Sequence, residues 1–70
     1  MKREISLTYA IKRVKRNAHK YDVVENMLDS IYEYHLRAED EIPELVKSYN
    51  KWAEKNYFDT VTVDEVMRSL

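Results

Sequence analysis

The chain contains no cysteine, no glycine and a single proline, and each shortage excludes something. Without cysteine there are no disulfide staples, no thiolate metal ligands and no cysteine nucleophile. That composition fits a cytoplasmic protein. Without glycine, the tight turns on which sheet-rich folds depend would have to be made by other residues, which favours helices joined by short polar links. No apolar run reaches the length of a signal sequence or a membrane span, so the expectation is a soluble chain with no membrane partner. Seventy residues make one domain at most, burying only ~60% of the unfolded surface.

What is present is charge, unevenly placed. The net charge is −1, yet residues 1–20 carry seven basic side chains against Glu4 alone, and residues 21–70 carry five basic against twelve acidic ones. Such a chain can attract its own opposite half, a second copy, or a polyanion through the basic head.

Apolar spacing assigns the elements. Val24, Met27, Leu28, Ile31, Tyr34 and Ala38 recur at helical steps, and Asp22 with Glu25 reads as an N-cap with its reciprocal partner. This predicts a helix over 22–38. Leu7, Ile11, Val14 and Ala18 form an earlier stripe behind Ser6 as N-cap, predicting a helix over 6–17. NAHKYD at 17–22 is a poor helix interior and predicts a break. A single helix over 6–38 is the alternative, roughly 50 Å long and in need of a coiled-coil partner. Pro43 suits a first helical turn and predicts a helix over 43–55, with Ile42, Leu45, Val46, Tyr49, Trp52 and Ala53 inward and Lys47, Lys51 and Lys55 outward. Thr62 and Glu65 have capping-box spacing, predicting a short helix over 63–70 that buries Val63, Val66, Met67 and Leu70. In the connection before it, Tyr57 and Phe58 are expected to cover the open end. The fold class is all-α: one small bundle of three helices plus a short fourth.

A second reading starts from residues 4–11, EISLTYAI, whose Ile5, Leu7, Tyr9 and Ile11 also alternate with period two, as in a half-buried strand. A strand followed by helices resembles ribbon–helix–helix repressors, including the DNA-binding halves of many antitoxins. The resemblance is one of layout over about the first 38 residues. It implies a dimer whose paired strands enter a major groove with Ser6 and Thr8, and a C-terminal extension that grips a toxin. The chain departs from the pattern in lacking the glycine between the two helices and in carrying Glu4 on the reading face.

Three groups of residues are candidate sites. On a helix, Tyr9, Arg13, Arg16 and Lys20 share a face with Lys12 beside them, a pattern that can meet phosphates and stack on a base; the plainer reading is a solvated face paired with the acidic remainder. His35 and Glu39 stand one helical turn apart, a spacing two ligands of one metal can use, but two groups do not make a site. Tyr32 and Leu36 fall four apart on the side of the central helix away from its apolar stripe. Exposed together with Tyr57 or Phe58, they would mark a partner surface. No catalytic residues, cofactor or metal are expected, and a bundle of this size has little room for a cleft of ~300 Å³.

Two functions follow. The first is a small non-enzymatic regulatory or adaptor module that binds a protein partner, or a second copy as a homodimer, through Tyr32, Leu36, Tyr57 and Phe58. The second is a nucleic-acid-binding regulator, antitoxin- or repressor-like, using residues 2–20 with Tyr9, Lys12, Arg13, Arg16 and Lys20.

Overall fold

Residues 4–11 take the helical option. A computed structural model describes the backbone of residues 3–70 and the side chains from Ile5 onward. The first element is helix α1, Arg3–Arg16. Lys2 and the side chains of Arg3 and Glu4, which belong to the basic head, lie outside the described residues. No strand occurs among the described residues, so the ribbon–helix–helix layout does not apply. The helix begins before Ser6, which is buried inside it and is not its N-cap. Its most deeply buried line is Ser6, Ala10 and Val14, with Leu7 and Ile11 flanking. These are small side chains, and small side chains at a contact shorten the distance between helix axes.

Helix α2 spans Val23–Tyr34, so the chain breaks between α1 and α2 as the composition of 17–22 predicts. The Asp22 carboxylate accepts the Val24 N–H at 3.0 Å, while Glu25 places its charge at the positive end of the helix. Met27 and Ile31 point into the core, each contributing roughly 1.5–3 kcal/mol by burial. The buried Asn26 donates from Nδ2 to the Val14 carbonyl at 2.8 Å, which satisfies one of the carbonyls that the end of α1 leaves without an intrahelical partner. Arg13 and Glu33 also pair across this interface. Val14 lies beside Asn26 and Tyr9 beside Tyr34, so later positions of α1 meet earlier positions of α2 and the two helices run antiparallel.

The helix stops four residues short of the expected Ala38. His35 adopts φ 52°, ψ 50°, a left-handed conformation usually given to glycine. The His35 and Leu36 N–H groups both donate to the Ile31 carbonyl. The turn swings Leu36 inward and leaves Ala38 exposed.

Helix α3, Glu41–Asn56, starts two residues before Pro43. Proline is tolerated there because the first-turn N–H groups lack intrahelical acceptors anyway. Ile42, which proline disfavours from helical geometry, is held in it while fully buried with Leu45, Val46, Tyr49 and Ala53. The helix ends at a second left-handed residue, Tyr57, with φ 63°, and the Phe58 N–H returns to the Ala53 carbonyl at 3.0 Å. Tyr57 covers nothing: it is 96% exposed. Phe58 alone folds back, its ring stacked on Trp52 at 5.0 Å and 11°.

Helix α4, Val63–Arg68, opens with the expected capping box: Glu65 N–H donates to Thr62 Oγ1 at 3.1 Å and Thr62 N–H to Glu65 Oε1 at 2.8 Å. It buries Val66, but Leu70, expected inside, is 49% exposed beyond its end. Helix α1 packs against both α2 and α3, and α4 closes the other side by touching the same two. The radius of gyration is 10.8 Å and the longest extent 33 Å, close to the ~11 Å radius of a folded chain of this size. A continuous 6–38 helix does not form.

Candidate functional site

The surface of α1 divides into strips according to what lies beside it. Toward α2 stand Tyr9 and Arg13. The Tyr9 ring lies 6.4 Å from that of Tyr34. The Arg13 guanidinium donates to the Glu33 carboxylate at 3.2 Å and to the Asp29 carbonyl at 3.5 Å. Of the residues expected to meet phosphate, Arg13 is therefore engaged within the bundle. Lys12, Arg16 and Lys20 are exposed, and none has an ion pair among the described residues.

On the other flank Lys15 faces α3. There it lines an open hollow of about 340 Å³ with Ser48, Lys51, Trp52 and Lys55. The three α3 positions 48, 51 and 55 project to the same side by helical spacing. None of the three lysines is ion-paired among the described residues. Trp52 forms the apolar wall, braced by Phe58 on one ring face and by the tilted Tyr49 ring at 5.8 Å. The brace is fixed from below. The Tyr49 hydroxyl donates to the Asp59 carbonyl at 2.8 Å, and burial, with a smaller contribution from the Asp59 charge, raises its pKa above 10.0. The Asn50 amide exchanges two bonds with the backbone of Val61, at 2.6 and 3.0 Å.

A second hollow, about 320 Å³, lies on the outer face of α1 between Ile5, Thr8, Tyr9 and Lys12. A third, about 460 Å³, lies between α2 and α4 at Val24, Glu65, Arg68 and Ser69. All three are open depressions, not enclosed clefts of the kind for which a bundle of this size has little room.

The aromatic partner surface does not assemble as expected. Tyr32 and Tyr57 are exposed, but Leu36 is 8% exposed because the left-handed turn at His35 takes it into the core, and Phe58 is committed to Trp52. His35 and Glu39 do not share a helical face either, since α2 ends at Tyr34, before both. Among the described residues, no three His, Asp or Glu side chains could hold a metal ion together, and no helix is long and apolar enough to cross a membrane. The sequence reading missed Lys15, Lys51, Lys55 and Trp52 as a group. The spacing of Lys47, Lys51 and Lys55 marked one cationic face, but nothing in the chain says that Lys15 stands opposite it. No family model, curated protein or solved structure matches the chain.

Proposed function

We propose that the protein is a small non-enzymatic module that binds nucleic acid through the outer surface of α1 and its junction with α3. The carrying observation is the set of cations left without carboxylate partners on that side: Lys12, Lys15 and Arg16 on α1, Lys51 and Lys55 on α3. Arg13 alone among the described α1 cations is paired. Unpaired cations displace counterions from a phosphate backbone, which makes binding tight at low salt and steeply salt-dependent. The test is a fluorescence-anisotropy titration against labelled oligonucleotides over a range of salt. Affinity should fall linearly on a log–log plot, and Lys12→Ala with Arg16→Ala should flatten the slope by about one unit or more. No binding at low salt overturns the reading.

A protein partner is the second reading, favoured by one feature. Tyr57 is almost fully exposed at a backbone conformation that a side chain makes costly, and Tyr32 is 59% exposed. Tyr32→Ala with Tyr57→Ala should then abolish complex formation without lowering the melting temperature, and light scattering of the isolated chain distinguishes a homodimer from a foreign partner.

A further inference from the structure

Resting on the nucleic-acid reading, we infer that the hollow between α1 and α3 is the site that takes a single strand, with a base against Trp52 and its flanking phosphates on Lys15, Lys51 and Lys55. The geometry argues for a strand rather than a duplex. The hollow is a shallow, open depression where α1 faces α3. Among the described residues there is no β-ribbon, and the hollow is recessed between α1 and α3, whereas duplex readers reach base edges with a helix or ribbon set into the groove. Lys51 and Lys55 stand one turn apart on α3, ~6 Å along its axis, and Lys15 lines the same hollow from α1, so the cations around Trp52 come from both helices. A positive channel with an aromatic in its wall is the arrangement by which single strands are held without base-edge readout.

The composition also argues against an acidic protein segment as the occupant. Protein interfaces are depleted in lysine. Here all three cations are lysines, and a lysine meets a phosphate as a point charge. Lys12 and Arg16, on the adjoining outer strip of α1, continue the positive surface beyond it.

The chain has one tryptophan, and it is Trp52, so its intrinsic fluorescence reports on this hollow alone. The intact chain is titrated at low salt with a single-stranded oligothymidylate, its RNA counterpart, a duplex of equal length, and poly-glutamate. Single strands should quench Trp52 with saturation. Lys51→Ala with Lys55→Ala should weaken that binding about tenfold or more while leaving the melting temperature unchanged, since both side chains are exposed. Comparison of the two single strands tells DNA from RNA, and either supports the site. Binding of strand or duplex with Trp52 fluorescence unchanged, or unaffected by the lysine pair, overturns the hollow as the site and leaves the broader nucleic-acid reading standing. Equal quenching by poly-glutamate overturns it in favour of an acidic partner. No binding of any nucleic acid overturns both.

Discussion

The two links on either side of α3 begin alike and end differently. At 35–40 and again at 57–62 the chain leaves a helix through a left-handed residue that is not glycine, His35 and Tyr57. The next residue then turns back, its N–H donating at 3.0 Å to a carbonyl five positions earlier. After that the first link is held by charge. Arg37 forms a two-pronged pair with Asp40 at 3.1 and 2.8 Å, and the Arg37 N–H donates to the Glu41 carboxylate at 2.8 Å. The second link is held by neutral groups: the Tyr49 hydroxyl on Asp59, the Asn50 amide on Val61, and Phe58 on Trp52. The Arg37–Asp40 pair is exposed, so salt screens it and it contributes little. Of that link's charged groups, only the Glu41 carboxylate at its end is buried. Neutral bonds in partly buried positions are not screened, and leaving their partners unmade is costly. The neutral link is also the one that braces the wall of the α1–α3 hollow.

The sharpest way to break the contrast is Asn50→Ala. It removes both bonds to Val61 and should cost about 2 kcal/mol, read by urea unfolding, with the same loss at low and high salt; a loss that shrinks with salt would show the link to be electrostatic. Tyr49→Phe comes next, at about 1 kcal/mol for one hydrogen bond. It carries a pH signature as well. Because the phenol's pKa is raised in the folded chain, the unfolded chain releases that proton first. Tyr49 therefore leaves stability unchanged below pH 10 and lowers it as pH rises beyond. Melting between neutral pH and pH 11 should fall more steeply in the wild type than in the variant.

Tyr57→Gly should raise stability by about 0.5–1 kcal/mol by relieving the left-handed strain, while leaving Trp52 emission as it was. Destabilisation would mean that the exposed ring is held by contacts. The smallest effect belongs to the charged link. Asp40→Ala should cost less than ~1 kcal/mol, and the difference should vanish in high salt; a loss as large as that of Asn50→Ala would erase the distinction between the links.

Much of the architecture could be read from residue spacing. The apolar face of α3, the break at 17–22, the Asp22 cap and the Thr62–Glu65 box all follow from local chemistry, because each is decided within a turn or two of chain. The misreadings share the opposite cause. Ser6 and Ala10 are too small or too polar to register as core, yet they lie where α1 meets its neighbours. Asn26 looks like a surface residue until the Val14 carbonyl is placed beside it. Leu36 is outward on any continuous helix and inward only because His35 ends that helix. With no glycine to mark the stop, nothing in the sequence announced it.

Composition and period by themselves favoured an all-helical chain, placed the later helices and set the concentration of positive charge at its head, while leaving open a strand at 4–11 and a continuous helix over 6–38. Those are properties of neighbours along the chain, set by propensity, capping and 3.6-residue spacing. Which cations would be neutralised and which left open was decided only when α1 packed between α2 and α3. That packing gave Arg13 to Glu33 and set Lys15 across from Lys51, Lys55 and Trp52. Electrostatic pairing depends on distance through space, and the fold alone sets that distance.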